Sequence, residues 1–364
     1  MFIIIGRVKL IVDKKAIAHN ISEFKKFLNP SVEMLLVHKG YSYGTDLYKN
    51  ADFFKENNIV NLGIATTNEA ICLREAGFSD RILLLSQPLS EEIPYIVEHD
   101  LISSVCYFPF IKELNEHAKA KKKVAKIHIK INTGMNRLGI RPEVVAEMVA
   151  QIRELSNIEL EGIFTHFSSS DDNNEYTNHQ IAEFEKAKNV AGFVKYIHSC
   201  NTMGILNFPQ AHNNMVRLGT GQYGYLHNPI YYNKIDLKPA LMLQTKVSYI
   251  FTVAKGEPLA YNHSVITERQ TKIAVIPIGY GDGLVCTYKG RVFVNGYYAN
   301  IIGRISMDLT LIDITDIPND VQVSDDVYIW DNKNITLEEV GKNSGSILAE
   351  IFGHLTQRVE KVYT

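Results

Sequence analysis

The sequence predicts an α/β protein in which an eight-stranded parallel barrel is followed by a mainly β domain. Between Glu33 and about Gly219, short β-rich runs alternate with amphipathic helical segments in about eight units, the number expected of a TIM-type (β/α)8 barrel. After about Pro229, alternating and β-branched runs are separated by turn pairs such as NG and KG, with little helix. We expect a barrel domain over residues 10–230 and a β-rich domain over residues 231–364 that also includes residues 1–9. A doubly wound open sheet is the alternative for the first part, although such sheets usually have fewer strands.

The predicted elements follow one another regularly along the chain. The opening MFIIIGRVKLIVDKK is typical of a strand, and eight strand-like runs follow at residues 33–38, 59–65, 81–86, 100–106, 124–132, 158–166, 194–200 and 214–219. Two intervening segments, TNEAICLREAG (67–77) and YTNHQIAEFEKAKNVA (176–191), carry apolar residues at helical spacing. The turn-rich segment 227–239 is the expected junction. The strands of the second domain are expected within residues 241–256, 272–280, 290–314 and 325–332.

Composition indicates an ordinary globular protein. The 364 residues are 46% hydrophobic and 21% charged, and the formal net charge of -2 gives no reason to expect a nucleic acid or an anionic membrane as partner. The opening segment lacks the features of a signal peptide, and no run approaches the roughly 18 to 20 apolar residues that span a bilayer. The four cysteines show neither metal-ligand nor disulfide-rich spacing, so we expect no metal and a reducing, cytoplasmic setting.

Polar residues follow the predicted barrel strands at their C-terminal ends, where barrels of this type carry their reactive groups. Lys39 follows the first strand, Arg137 follows the fifth in NTGMNRLG, His166 ends the sixth, and HSCNTMG and Arg217 belong to the seventh and eighth. Each has an ordinary explanation when taken singly, because strand-end lysines and hydrogen-bonded core histidines are common. Five polar ends on one face would leave many buried donors unsatisfied without a ligand, so we predict a binding site there.

The glycine-containing segments after the seventh and eighth strands predict a phosphate site. They read NTMG and LGTGQYG, in which Thr202, Gly219 and Thr220 can offer hydroxyl and backbone N–H donors. Burial of the Lys39 amine would lower its pKa toward the range in which lysines form Schiff bases. A phosphate at one side of the barrel mouth and such a lysine at the other predict pyridoxal 5'-phosphate as the cofactor, attached to Lys39.

From about Val8 to its end, the chain resembles the alanine racemases, pyridoxal phosphate enzymes with an N-terminal barrel and a C-terminal β domain. Matching blocks occur in the family's order: KGYSYG against KANAYG, NTGMNRLG against DTGMGRLG, THF, MVRLG against MVRPG, PIGYGDG against PIGYADG, and IGRISMD against VGRVCMD. The resemblance implies an isomerase that interconverts L- and D-alanine and supplies D-alanine for peptidoglycan precursors.

The resemblance also implies roles for individual residues. Lys39 would hold the cofactor and act as the base on the D-amino acid, while Tyr261 in LAYN would be the opposite base for the L-enantiomer. Arg217 would donate a hydrogen bond to the pyridine nitrogen and, because an arginine keeps its proton, would leave that nitrogen unprotonated. Lys130 matches the position of a carbamylated lysine that orients Arg137, and an ordinary lysine on a strand remains the alternative.

Further contacts are implied in the same way. Besides Lys39 and Arg217, the cofactor would be contacted by Tyr43, His166, Thr202, Gly219, Thr220 and Gln357. The substrate would be contacted by Arg137 and by three residues from the other subunit of a homodimer with shared active sites, namely Tyr280, Met307 and Asp308. His198 and Asn201 would support this network, and Arg137, His166 and His198 are candidates for the neighbour that lets Tyr261 act as a base.

Several positions depart from the family pattern. Tyr41 replaces the asparagine of KANAYG, His38 precedes the lysine where an aliphatic residue is usual, Asn132 replaces the aspartate of DTGM, and Ser306 replaces a cysteine. Gln357 stands where many members carry a tyrosine, and this less bulky, polar side chain could admit a hydroxymethyl group. Serine, or a broader range of amino acids, is therefore an alternative substrate to alanine.

Two other function classes stay open at the level of sequence. A pyridoxal phosphate-dependent amino-acid decarboxylase has a related architecture, but it uses a glycine-rich phosphate loop and a Cys/Asp pair that are not evident here. It also benefits from the protonated pyridine that Arg217 would prevent. A non-catalytic carrier of the cofactor would need only the barrel, so the β domain with Tyr261 argues against that class.

Overall fold

The computed structural model describes residues 6–318 and 320–364, and the chain forms two compact units. The β unit consists of the residues up to Ile17, Tyr43–Thr45 and Pro239–Thr364, and the barrel unit consists of Ala18–Ser42 and Asp46–Lys238. The expected domain limits of 10–230 and 231–364 stay a prediction. Residues 1–5 of the expected β-rich domain lie outside the described residues.

Parallel strands form a closed barrel in the barrel unit. The described chain begins with β1 (Val8–Val12), which belongs to the β unit. Within residues 33–218, all of them described, eight strands then follow one another around the barrel, and the last pairs with the first. They are β2 (Glu33–Val37), β3 (Asn61–Ile64), β4 (Arg81–Leu84), β5 (Ile102–Val105), β6 (Ala125–Lys130), β7 (Ile158–Phe164), β8 (Tyr196–His198) and β9 (Met215–Leu218). The predicted (β/α)8 barrel is confirmed.

Helices connect the barrel strands, and their ends follow local sequence signals. Thr66 and Glu69 form a capping box at the start of one helix, and Gly77 just past its end has a φ of +88°, which favours glycine. The helices up to β9 are Lys14–Lys25, Leu47–Glu56, Thr67–Glu75, Ile93–Glu98, Phe108–Ala120, Val145–Arg153, Asn174–Ala191 and Thr202–Asn207. No helix in the described part of the chain is both long and apolar enough to cross a bilayer.

A mixed sheet dominates the β unit. Of the described residues, nine strands form it in the order β11-β14-β17-β16-β15-β18-β10-β1-β19, and β12 pairs with β13 separately. Their bounds are β10 (Leu241–Lys246), β11 (Tyr249–Val253), β12 (Pro258–Leu259), β13 (Val265–Ile266), β14 (Thr271–Ile276), β15 (Arg291–Val294), β16 (Tyr297–Ile301), β17 (Thr310–Asp313), β18 (Asp326–Trp330) and β19 (Glu360–Tyr363). Two helices, Leu337–Ser344 and Leu348–Gly353, precede β19.

The NG pair predicted as a turn joins β15 to β16. Asn295 and Gly296 have φ angles of 49° and 88°, the left-handed values that a tight two-residue hairpin requires. The prediction of a mainly β second part is confirmed.

Candidate active site

Lys39 lies on the rim of the barrel, two residues past the end of β2. This strand pairs in parallel with β9, with Leu35 opposite Arg217, so the C-terminal ends of both strands meet on one rim. After Lys39 the backbone turns left-handed, and five consecutive residues have φ between 50° and 76°: Gly40, Tyr41, Ser42, Tyr43 and Gly44. Each of the three that are not glycine costs roughly 1–2 kcal/mol in this conformation, so other contacts must hold the turn.

Side chains of the barrel unit supply those contacts. The Tyr41 N–H donates to Glu69 Oε1 at 2.7 Å, and the Tyr223 hydroxyl donates to the Ser42 carbonyl at 2.9 Å. His38 forms a hydrogen bond with Ser42 Oγ through Nδ1. Burial lowers the pKa of His38 to about 3, so this imidazole is neutral. The departure at His38 therefore supports the turn that follows Lys39.

The Lys39 amine is easier to deprotonate than an ordinary lysine. Its side chain is exposed on the rim, yet partial loss of hydration lowers its pKa, and the positive charge of Arg137 lowers it further. The Glu69 carboxylate opposes this shift without cancelling it. A lowered pKa increases the neutral fraction that can act as a nucleophile or a base.

Arg137 belongs to a loop that folds back on the end of β6. The Ile140 N–H donates to the Lys130 carbonyl at 2.9 Å, and the Asn132 N–H donates to the Ile140 carbonyl at 2.7 Å. Gly139 in this loop has a φ of +124°, and an added Cβ would lie 2.7 Å from the Asn132 nitrogen. Only glycine therefore fits where the loop closes on the strand.

Lys130, the last residue of β6, is a buried lysine. It is 7% exposed, and its Nζ lies 4.1 Å from the centroid of the Phe164 ring. In the described part of the chain, no carboxylate lies within ion-pair distance of it. Burial first, and then the charges of Arg217 and Arg137, lower its pKa well below the usual lysine value.

Arg217 on β9 is fixed by four hydrogen bonds. Nη1 donates to His198 Nδ1 at 3.0 Å, while Nη2 donates to the carbonyls of Thr165 and Ser199 at 2.7 and 3.0 Å and to His166 Nδ1 at 3.2 Å. Burial lowers the pKa of Arg217 to about 10, which keeps the guanidinium charged near neutrality. None of these four bonds uses Nε, so that donor can serve a ligand.

The half-buried imidazole of His166 lies among the cations of the rim. Its pKa is lowered well below the usual value, first by burial and then by the charges of Arg217, Lys130, Arg137 and Lys39. The structure thus brings together five residues that the sequence singled out. The excess of positive charge around one neutral imidazole is suited to an anionic ligand.

The two glycine-containing segments meet, as the sequence suggested. Thr202 begins the short helix after β8, which Asn201 caps by accepting from the Gly204 N–H at 2.9 Å. The Gly219 N–H donates to Thr202 Oγ1 at 3.0 Å and so joins the second segment to the first. Thr202 and Thr220 are each 7% exposed. One of the expected phosphate donors, the Gly219 N–H, is therefore already bound to Thr202.

The remaining expected residues lie in the β unit, where several are exposed. Tyr261 begins a short turn and is 66% exposed, while Tyr280 and Met307 are 47% and 52% exposed. The Tyr280 N–H donates to the Ser306 carbonyl at 3.1 Å, which places Tyr280 beside the loop that carries Met307.

Other β-unit residues are held by local contacts. Asp308 accepts from Arg358 Nη2 at 2.7 Å. Gln357 is exposed beside Thr356, whose hydroxyl donates to the Gly281 carbonyl at 3.1 Å. Tyr43 is buried, with its ring centroid 5.8 Å from that of Phe352.

Two buried residues of the barrel, linked to Arg217 through His198, belong to none of the sequence motifs. His128 on β6 and Glu161 on β7 are each 1% exposed, and His128 bonds both His198 and Glu161. Strand alternation gives no signal for them. On β6 the residues from Ile127 to Lys130 are all buried, and on β7 Glu159 is exposed although Glu161, two residues further on, is buried.

Family profiles identify the class of protein that carries these groups. The family described as alanine racemase, N-terminal domain, matches residues 12–227, and the family described as alanine racemase, C-terminal domain, matches residues 240–363. The chain belongs to the alanine racemase family. The resemblance read from the sequence blocks is confirmed, as is the prediction of an isomerase of this family.

Individual alanine racemases resemble the chain over almost its whole length. The alanine racemase of Methanococcus maripaludis is 34% identical over 363 residues, which cover 97% of each chain. Alanine racemase 2 of Caldanaerobacter subterraneus subsp. tengcongensis is 35% identical and covers all of this chain and 96% of its own. The solved structure of the alanine racemase of Clostridium difficile 630 has a TM-score of 0.95 at 27% identity and covers 100% of this chain and 97% of that one.

Two departures from the alanine racemase motif DTGMGRLG compensate each other. Asn136 stands in place of the second glycine with a φ of 54°, a conformation that asparagine tolerates better than most residues. Asn132 stands in place of the aspartate. Its Oδ1 accepts from the Asn136 N–H at 3.0 Å, and its Nδ2 donates to Asn136 Oδ1 at 3.0 Å. A carboxylate could not make the second bond, so the two asparagines match as a pair.

Proposed function

We propose that this member of the alanine racemase family holds pyridoxal 5'-phosphate on Lys39 and interconverts L- and D-alanine, with Lys39 and Tyr261 as its two bases. The observation that carries the proposal is the group of cations around His166. It combines a lysine of lowered pKa with an arginine fixed by four hydrogen bonds on the same barrel rim.

The residues of the rim suit this cofactor chemically. Lys39, Arg137 and Arg217 provide positive charge for an anionic cofactor, and the Glu69 carboxylate lies near Lys39. The hydroxyls of Thr202 and Thr220 add polar contacts. In the proposal Tyr43, His166, Gly219 and Gln357 complete the set of residues that hold the cofactor.

Lys39 and Tyr261 would each handle a proton on one side of the substrate. When bound, pyridoxal phosphate supplies a conjugated electron-withdrawing system that makes the Cα–H bond of an attached amino acid acidic. Lys39 Nζ takes or returns the proton on the D side, and the Tyr261 phenol oxygen does so on the L side. A lowered pKa suits Lys39 to this task, since a general base works best when its pKa lies near the operating pH.

Arg217 would select racemisation over competing reactions. Its Nη atoms are bound within the barrel, and Nε is left to donate to the ring nitrogen of the cofactor. Since the guanidinium keeps its proton near neutrality, it holds that nitrogen in the unprotonated state. The arrangement argues against a decarboxylase, which benefits from a protonated ring.

Lys130 would carry a carbamate that orients Arg137 toward the substrate carboxylate. Its burial without a carboxylate partner in the described chain supports this, because a carbamate converts the buried cation into an anion beside Arg217 and Arg137. His198 and Asn201 would hold the surrounding network through their bonds to Arg217 and to the helix after β8.

A homodimer with shared sites completes the proposal. Tyr261, Tyr280, Met307 and Asp308 of one subunit would serve the barrel of its partner. The exposure of Tyr261, Tyr280 and Met307 supports this, because large side chains on a free surface suit an interface. We expect the protein to act in the cytoplasm, and its four cysteines are unpaired.

Chiral chromatography tests the activity directly. Purified protein incubated with each L-amino acid should form D-alanine faster than D-serine. Release of CO2 without a D-product would instead indicate a decarboxylase, and equal rates with serine would indicate the broader racemase.

Borohydride reduction tests the attachment site. Peptide mapping of the reduced yellow protein should place a pyridoxyl label on Lys39. The matched control Lys55→Ala, at an exposed position, should be labelled like the wild type. A label on Lys130 would contradict the assignment.

A further inference from the structure

A chain of buried hydrogen bonds runs from Arg217 to a carboxylate elsewhere in the barrel. Arg217 Nη1 donates to His198 Nδ1 at 3.0 Å, His198 Nε2 lies 2.9 Å from His128 Nδ1, and His128 Nε2 lies 3.3 Å from Glu161 Oε2. Arg81 closes the chain by donating to both Glu161 oxygens at 2.6 Å. The two histidines and Glu161 are at most 1% exposed, so water does not interrupt it.

The two ends of this series of hydrogen bonds require every bond in it to donate in the direction from Arg217 to Glu161. An arginine can only donate and an ionised carboxylate can only accept. His198 must therefore accept at Nδ1 and carry its proton on Nε2, and His128 must do the same. With this pair of tautomers every bond from Arg217 to Glu161 has one donor and one acceptor.

The ionisation states agree with this arrangement. Burial lowers the pKa of both His198 and His128, which keeps the imidazoles neutral. Burial alone would raise the pKa of Glu161, but the hydrogen bonds from His128 and Arg81 outweigh it and lower that pKa. Glu161 is therefore an anion near neutrality.

The surrounding barrel is shaped to hold the two rings. An added Cβ on Gly162 would lie 2.7 Å from His128 Cε1, so the backbone of β7 leaves room for this imidazole only because it carries a glycine there. The Phe164 ring stacks on His198 with centroids 4.7 Å apart and an interplanar angle of 5°. The Tyr196 ring stacks on His128 at 6.0 Å and 23°.

We propose that Glu161 is a positioning residue for Arg217: its carboxylate fixes the tautomers of His128 and His198 and thereby keeps His198 an acceptor for the guanidinium. The part of this inference that concerns the cofactor rests on the proposed function, since Arg217 would present Nε to the ring nitrogen. The part that concerns the tautomers depends only on the protein.

Glu161→Gln removes the requirement that residue 161 accept a hydrogen bond from His128. An amide offers both a donor and an acceptor, so His128 and His198 can reverse their tautomers. In the reversed state His198 presents Nδ1–H to Arg217 Nη1, and two donors face each other. The Arg217–His198 bond is then lost, while the three remaining bonds of Arg217 are retained.

Nitrogen NMR of the two imidazoles tests the inference. In full-length protein labelled with 15N-histidine, as purified and after removal of the cofactor, both residues should be neutral with the proton on Nε2. A wild-type protein with the proton on Nδ1 of either ring would overturn the proposal without any mutation. Because no substrate is present, this result stands whether or not the protein racemises alanine.

Two variants distinguish the effect of the Glu161 carboxylate from the effect of its ion pair with Arg81. Glu161→Gln should change the ring nitrogen shifts of His198 and shift the absorption maximum of the bound cofactor. It should also lower kcat about 10-fold with little change in KM, as loss of a supporting hydrogen-bond partner does elsewhere. Arg81→Gln, the matched control, removes the ion pair between Arg81 and Glu161 but leaves Glu161 as an acceptor with Lys126 Nζ 3.6 Å away, so the tautomers should be those of the wild type. Unchanged histidine shifts in Glu161→Gln, or the same changes in both variants, would contradict the proposal.

Discussion

Arg217 and Tyr261 illustrate how differently the two units present their candidate site residues. Arg217 on the barrel is 3% exposed and forms four hydrogen bonds within its own unit, whereas Tyr261 in the β unit is 66% exposed. The exposed Tyr280 and Met307 share the pattern of Tyr261. The barrel unit thus holds its candidate residue by contacts of its own, while the β unit leaves its candidate side chains on its surface. The proposed site, assembled from two subunits, would account for both observations.

The largest effect is expected for Tyr261, on the surface of the β unit. Tyr261→Phe should lower racemisation about 10²–10⁴-fold, because the proposed base for the L-enantiomer is lost while Lys39 remains. In deuterated water the variant should still exchange the α-proton of D-alanine without forming L-alanine. The control Tyr249→Phe, also exposed in the β unit, should racemise like the wild type. Loss of D-alanine exchange along with racemisation would show that Tyr261 does more than serve one face.

A smaller effect is expected for the pKa of Lys39, in the barrel unit. Acylation of Lys39 in the cofactor-free protein, followed by mass spectrometry against pH, should have its midpoint below that of free Nα-acetyl-lysine, because the Lys39 pKa is lowered. Since Arg137 contributes to this shift, Arg137→Ala should move the midpoint to higher pH. An unchanged midpoint in Arg137→Ala would mean that the loop after β6 does not lower the pKa of Lys39.

The smallest expected effect concerns the paired asparagines of that loop. Asn136→Ala should lower the free energy of unfolding by about 1 kcal/mol, because alanine tolerates the φ of 54° poorly and loses the bond from Asn132. Asn136→Gly should cost less, since glycine adopts this φ freely. Denaturant titration measures both. Equal losses in the two variants would mean that backbone conformation is not the cause.

Particular residues show how far the sequence could predict the structure. The eight barrel strands, Lys39 on the rim and the joined glycine-containing segments could be predicted, because strand periodicity and barrel geometry determine which side chains share a rim. His128 and Glu161 could not, since β6 and β7 each carry more than one polar residue and the sequence does not show which of them is buried. Their roles depend on which neighbouring strands meet in the barrel.

The left-handed turn after Lys39 could not be predicted from the sequence either. KGYSYG contains only two glycines, yet all five residues after the lysine have positive φ, because contacts from Glu69 and Tyr223 override the local preference. The pairing of Asn132 with Asn136 could not be predicted either. In the sequence each asparagine is an isolated departure from the family motif, and only the loop geometry brings the two side chains into contact.

Co-expression of Lys39→Ala with Tyr261→Phe tests the shared site most directly. Each homodimer lacks one base at both sites and should be nearly inactive. In a heterodimer with shared sites, one site carries both defects and the other has an intact Lys39 and an intact Tyr261. With random pairing, about a quarter of wild-type activity should therefore return. A mixture verified to contain heterodimers, yet no more active than its parents, would contradict the account.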